Sequence, residues 1–348
     1  MISPLRQAFL CLLVCISAVH AEKNTTGQLL KKDDKWFASA EAKTIAATLL
    51  SYQSELGGWP KNTNTSQKPY RGKKKDLEPT FDNDATTDEL RFLARIYQQT
   101  KEKSYADAFE KGLHYILEAQ YDHGGWPQFS PPGKKYHRFI TFNDGSMVRL
   151  MEFVREVARD PLYEFVPANE RKQAAQAFEK GISCILRCQI TIDGTLTVWC
   201  AQHDEINFQP QLARAYELPS LSGGESAGIV RLLMSVEKPS KEIVRAVDAA
   251  VAWYDRVKIT DIRIDEVKDA QAPKGKNRVV VKDRKADPLW ARFYDLKTQQ
   301  PLFCDRDGVP KQNLKDIGYE RRNGYAWYGN WGLKLLEKEY PQWKKEHR

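Results

Sequence analysis

Ala108-Phe109-Glu110-Lys111-Gly112 recurs unchanged as Ala177-Phe178-Glu179-Lys180-Gly181, 69 residues later. Each copy opens an apolar pattern with helical spacing: Leu113, Tyr115, Ile116 and Leu117 after the first, Ile182, Cys184, Ile185 and Leu186 after the second. Each pattern runs out at a glutamine, Gln120 or Gln189, and then a glycine turn with a tryptophan. That turn is Gly124-Gly125-Trp126-Pro127 after the first copy, and Gly194 with Trp199 after the second. An earlier copy, Ala42 to Gln53 followed by Gly57-Gly58-Trp59-Pro60, lies 67 residues before the middle one. Self-similarity at this period marks a stacked supersecondary unit.

A second helix type alternates with the first. Asp84–Thr100, Gly145–Asp160 and Ser222–Val236 carry apolar residues three and four apart, and Lys241–Val257 reads as a fourth helix of the first type. The unit is therefore helix, tryptophan turn, loop, helix. Strand signals are few; Thr195 to Trp199 and Arg278 to Val281 read as short hairpins. The fold expected is mainly all-α, a partial (α/α) toroid of repeated helical hairpins with long loops and a few short strands. No composition shift marks a linker, so residues 36–345 are expected to form a single domain. Residues 22–35 are polar and read as a mobile segment. The charged stretch Lys258–Pro288 reads as an irregular arm.

Residues 1–21 read as a secretory leader. Arg6 precedes the apolar run Ala8 to Val19, and Val19-His20-Ala21 has the small-x-small form of a cleavage site. The run is short for a membrane span. The expected location is secreted or periplasmic, with no membrane attachment after cleavage. About 327 residues remain, enough for a sizeable core. Of six cysteines, Cys11 and Cys15 leave with the leader; export permits disulfides among Cys184, Cys188, Cys200 and Cys304, but no pairing stands out. No Cys or His spacing suggests zinc. The formal net charge of +8 suits an anionic partner. Nothing resembles a nucleic-acid module, and the charge alone does not choose between anionic surface polymers and acidic polysaccharide.

The chemistry gathers ahead of the second helix type. Thr80-Phe81-Asp82-Asn83-Asp84 returns in variant form as Thr141-Phe142-Asn143-Asp144-Gly145. Asp82, Asn83 and Asp144 are hard oxygen donors of the kind Ca²⁺ or Mg²⁺ takes, too few to fill its shell without substrate and water. The plainer reading makes these acids helix N-caps, and Asp84 and Asp88 are assigned to it. Arg214, in Ala213-Arg214-Ala215-Tyr216-Glu217-Leu218-Pro219-Ser220, falls at the corresponding loop of the third repeat; its plainer reading is a surface pair with Glu217. Arg292 and Arg306 bracket Phe293, Tyr294 and Phe303, a combination suited to sugar acids, with rim salt bridges as the alternative. The turn tryptophans read as core staples, except Trp59, which lies nearest the first acidic loop and is a candidate substrate contact.

Taken in order, Gly57–Asn62, Thr80–Thr86, Gly124–Phe129, Ile140–Gly145 and Ala213–Ser220 resemble the α/α-toroid pectate lyases, polysaccharide lyase family 10. The likeness runs from about Ala38 to Gly329. It implies Ca²⁺-assisted β-elimination on polygalacturonate, with Asp82, Asn83 and Asp144 as the calcium site. It further implies Arg214 as the base, and Arg292 and Arg306 as carboxylate binders. Neighbouring cations would disfavour the charged form of that arginine. The lysine-rich loop at 73–75 and the arm at 258–288 depart from the family pattern. Two other readings stand beside the lyase: a hydrolase using Asp82 and Asp144 as paired carboxylates, and a non-catalytic binder of acidic polysaccharide. A monomer is expected.

Overall fold

A computed structural model describes residues 25–347; the leader and its two cysteines lie outside the described residues. Ten α-helices carry the fold among those residues. They are α1 (Thr25–Leu29), α2 (Ala40–Ser51), α3 (Thr87–Thr100), α4 (Lys103–Glu118), α5 (Ser146–Arg159), α6 (Ala168–Cys188), α7 (Glu225–Met234), α8 (Lys241–Val257), α9 (Tyr319–Gly324) and α10 (Tyr340–Glu346). Helices α3 and α4, α5 and α6, and α7 and α8 pack as successive hairpins. One layer is made by α3, α5 and α7, the other by α4, α6 and α8. This is the partial (α/α) toroid expected. None of these helices is long and apolar enough to cross a membrane.

Helix α5 shows why the layers form. Met147, Leu150, Met151, Val154 and Val157 recur three and four apart and are all buried. Each such side chain contributes about 1.5–3 kcal/mol when fully buried. Helix α3 does the same with Leu90, Leu93, Ala94 and Ile96, and stops at Lys101, whose φ of 56° is left-handed.

The recurring residues turn out to be joints between repeats. The Gln120 amide donates to Gly124 O in its own turn and to Ala177 O in the next helix of its layer, at 2.9 and 2.8 Å. Gln53 does the same to Gly57 O and Ala108 O, and Gln189 to Thr197 O and Ala246 O. The repeated Lys-Gly ending follows from the same joint. A Cβ on Gly57 (φ +110°) would strike Lys111 O, and one on Gly124 (φ +95°) would strike Lys180 O. Only glycine allows that approach.

Trp59 is fully buried and donates its indole N–H to Leu49 O at 2.9 Å, in the last turn of α2. It is a core staple and not a substrate contact, contrary to the expectation from its neighbourhood. Trp126 and Trp199 serve Ile116 O and Ile185 O in the same way. Trp290 serves Tyr254 O, in the last turn of α8, and is the turn tryptophan of the fourth unit. The physical reason is common to all four: final-turn carbonyls lack intrahelical partners, and a buried indole needs an acceptor.

The arm before Trp290 is regular and not irregular, and the Arg278–Val281 stretch expected in a short hairpin lies in its second strand. Ile262–Lys268 pairs antiparallel with Lys276–Lys282. Thr191–Ile192 and Thr195–Leu196 form the short hairpin expected near Thr195, turning at Asp193-Gly194. The segment read as mobile is docked from Thr25 onward. Arg95 of α3 donates to Leu30 O and Lys32 O and pairs with Asp34 at 2.6 Å, and its guanidinium lies 4.1 Å from the Phe37 ring centroid. Its polar side chains concealed that the backbone carbonyls would be the docking groups. The four described cysteines are free and buried.

Candidate active site

The helix-cap reading of the acidic loops does not hold. At the start of α3 the Thr86 N–H is taken by the Glu89 carboxylate at 2.8 Å. Asp84 instead pairs with Arg149 of α5 at 2.7 Å, and no side chain caps α5. Asp82 and Asp144 are thus free of helix-capping duty.

Main-chain bonds to the turn tryptophans set the register of three loops. Thr80 N donates to Trp59 O, Thr141 N to Trp126 O and Ser222 N to Trp199 O. Asn83 and Asp144 therefore hold equivalent places, and both have left-handed φ, 53° and 50°. Asn and Asp are the non-glycine residues that best tolerate that region. The third loop in this register is Ser222-Gly223-Gly224-Glu225, not the loop of Arg214. Glu225 is the acid that residue reading missed; its signal was an acid opening a helix after a glycine pair.

Ser146 Oγ donates to Phe81 O at 3.1 Å, tying the start of α5 to the first loop. Asp82 is buried. Its Oδ2 accepts from Lys61 Nζ (2.5 Å) and Gln128 Nε2 (2.7 Å), while its Oδ1 is buried with no partner among the described residues. Asn83 is exposed, its amide 3.3 Å from Asn62 Oδ1. Lys61 and Gln128 were also missed, although both sit in the quoted turns.

Arg292 reaches across to Asp144. Its Nη2 donates to Asp144 Oδ1 at 2.7 Å and to Glu225 Oε1, and its guanidinium lies 4.8 Å from the Tyr325 ring. Burial works to raise the Asp144 carboxyl; the Arg292 charge and the Asn143 amide outweigh it and hold it below the usual range. Arg292 thus binds protein carboxylates of two repeats.

Arg214 pairs with Glu217. Its Nε donates to Glu217 Oε2 at 2.6 Å and its Nη2 to Glu217 Oε1. Glu217 is buried and also accepts from Tyr325 Oη at 2.8 Å. Nη1 has no partner among the described residues. Burial works to lower the Arg214 pKa, but Glu217 overrides it and raises it. The expected depression by nearby cations is therefore reversed, because a buried carboxylate sits closer than any cation. Arg214 still belongs to the neighbourhood of the acidic loops: its charge helps lower Asp144, and Tyr136 feels both Arg214 and Asp82.

Arg306 lies furthest out. It is 62 % exposed and forks onto Glu320 at 3.0 and 3.1 Å, with the Tyr216 ring 5.5 Å away. Arg214 lies 5.0 Å and Arg321 4.5 Å from the same ring. The aromatic residues rest on a second, smaller core of Phe293, Phe303, Leu314 and Trp327. One region thus holds two acidic loops, a buried arginine bridging repeats, and an outer basic wall. Guanidinium groups suit carboxylates, and here they hold those of Glu217, Glu225 and Glu320.

Comparison with known proteins agrees. Curated proteins give no match. A family 10 polysaccharide lyase from Cellvibrio cellulosa is 34% identical, with TM-score 0.77, over 93% of this chain and 97% of that one. A mutant form in complex with trigalacturonic acid matches at 34% identity and TM-score 0.76, over 92% and 98%. The pectic acid lyase family model matches residues 53–336. With the stacked repeats and the acidic loops lying inside that span, the chain belongs to the pectic acid lyase family and is a polysaccharide lyase.

Proposed function

We propose that the protein is an exported pectate lyase that cleaves de-esterified polygalacturonate by calcium-assisted β-elimination, with Arg214 as the base. A monomer acting outside the cytoplasm, with no nucleic-acid partner, completes the reading. Membership in a lyase family displaces the hydrolase and simple-binder alternatives. The observation that carries the finer reading is the buried, unpartnered Oδ1 of Asp82 in a loop tied to that of Asp144.

The donor set suits a hard cation. Asp82 has an acceptor oxygen to spare, Asp144 is kept ionised, and Asn83 adds a neutral oxygen beside them. These three residues would hold Ca²⁺ with substrate and water oxygens. When bound, the ion supplies Lewis-acid neutralisation of a galacturonate carboxylate.

The C5 proton of a galacturonide is α to the C6 carboxylate, so removing it loads a second negative charge onto an anionic group. Arg214 takes that proton at Nη1, the nitrogen Glu217 leaves free. The C5–H pair becomes the C4–C5 double bond, and the C4–O bond breaks with its pair leaving on oxygen, which takes a proton from water. Glu217 fixes the guanidinium plane, and positive charge from Arg292 favours the developing enolate-like anion. Because Glu217 and the intrinsic basicity of arginine both favour the charged form, the reaction needs alkaline solution.

The test is Arg214→Ala assayed by ultraviolet absorbance of unsaturated uronide product. General-base loss should lower kcat by about 10²–10⁴-fold with KM little changed. A variant that turns over like the parent would remove Arg214 from the mechanism.

A further inference from the structure

We propose that Glu110, His114 and Glu170 form a binding site for a divalent transition metal of the zinc class, joining α4 to α6. Glu110 and His114 lie four apart on α4, which places both on one face. Glu170 enters from the first turn of α6. One ligand atom from each residue lies within 4.8 Å of the other two, and His114 Nε2 is 3.3 Å from Glu170 Oε1.

A simple His–Glu pair does not account for this cluster. The Glu170 side chain is only 7 % exposed, and its Oε2 is buried with no partner among the described residues. A buried acceptor left unsatisfied costs about 1–3 kcal/mol. The neighbouring carboxylate of Glu110 makes matters worse, since it sets a second like charge beside the first. No lysine or arginine pairs with Glu110 or Glu170 among the described residues. A divalent ion between the three would satisfy Oε2 and cancel the repulsion together.

The donor types choose the metal. One imidazole and two carboxylates suit zinc and its neighbours, whereas calcium takes oxygen alone. Ligands about 2.1 Å from one ion stand at most about 4.2 Å apart, so atoms that lie within 4.8 Å of one another need at most about 0.6 Å of closure. Glu110 is half-buried and His114 45 % exposed, so both have room to move. An adjoining cavity of about 440 Å³, lined by His114, Gln173 and Lys180 among others, leaves space for water as the remaining ligand. Nothing in this cluster touches the acidic loops, so the site would be structural.

Isothermal titration of the untagged, EDTA-stripped full chain with Zn²⁺, in constant saturating Ca²⁺, tests the proposal. One zinc per chain should bind with micromolar affinity and raise Tm. His114→Gln and Glu170→Gln should each weaken binding by about tenfold or more, with pectate cleavage unchanged. Co²⁺ should give visible absorption that Zn²⁺ removes in the parent and that is missing in both variants. Metal-free circular dichroism of the half-exposed His114→Gln variant separates lost binding from lost folding. Absence of zinc binding, or equal affinity in parent and variants, would overturn the assignment.

Discussion

Arg214 carries the largest tension at the scale of single residues, because a would-be base is clamped by a buried acid. Glu217 stabilises the protonated guanidinium, so replacing it with a neutral amide must lower the Arg214 pKa. Glu217→Gln is therefore expected to move the alkaline limb of the kcat profile to lower pH. It should also cut kcat by about 10–100-fold, since the guanidinium plane loses its orientation. A pH–rate profile on polygalacturonate checks both, and an unmoved limb would mean that Arg214 is not the titrating group. The equivalence of the Asp82 and Asp144 loops was legible because Thr-Phe precedes the acidic residues in both. Glu225 was not, since its loop keeps only a hydroxyl residue and the acid, and the loops differ in length. Trp59 misled because nearness in sequence to an acidic loop says nothing about which way an indole points. Its buried acceptor, Leu49 O, belongs to the helix before the turn.

Elements join through glycine turns and glutamine amides, and these joints were visible as the repeated Ala-Phe-Glu-Lys-Gly and its partners. What sequence alone withheld was their purpose. The repeated glycine, lysine and glutamine meet across neighbouring repeats, some 55 to 57 residues apart in chain for each amide bond. The two glycine turns differ in a way that can be measured. Gly124 has a left-handed φ and would drive a Cβ into Lys180 O, whereas Gly194 has φ +77° and open space around it. Gly194→Ala should cost only the backbone strain, about 1–2 kcal/mol. Gly124→Ala should cost clearly more, or prevent folding. Urea unfolding of both variants decides this, and equal losses would contradict the joint. The arm at 258–288 was misread as a whole for a related reason: charged residues alternate with Ile262 and Ile264 in one strand and flank the Val279–Val281 run of the other, and composition hid the pairing.

Across the whole molecule the repeats stack into one continuous core with the acidic loops gathered over it, and stability should carry the mark of groups buried within that core. His203 accepts Cys200 N–H at Nε2 and donates from Nδ1 to Phe208 O, so it is held neutral, and burial lowers its pKa to about 4. The unfolded chain, with an ordinary histidine pKa near 6.5, binds a proton that the folded chain refuses. Stability from this residue is present above about pH 6.5 and is lost as pH falls toward 4, on the order of 3 kcal/mol in full. Denaturant unfolding of parent and His203→Gln at pH 7.5 and 4.5 should show the parent's advantage shrinking at the lower pH. A constant difference would refute the assignment. The fold class and the family were readable at this scale because period, turn tryptophans and acidic loops recur in order. The docking of residues 25–35 was not, because it relies on backbone carbonyls that accept from Arg95.

The central claim is that loops of two successive repeats share one calcium ion over a galacturonate residue. The direct measurement is a calcium titration of EDTA-stripped enzyme on polygalacturonate, following unsaturated product, for the parent and for Asp82→Ala and Asp144→Ala. Product formation should vanish in EDTA and return with Ca²⁺ in the parent. Both variants should need far more calcium or fail to recover. Undiminished product in EDTA, or a parent-like calcium response in either variant, would contradict the account.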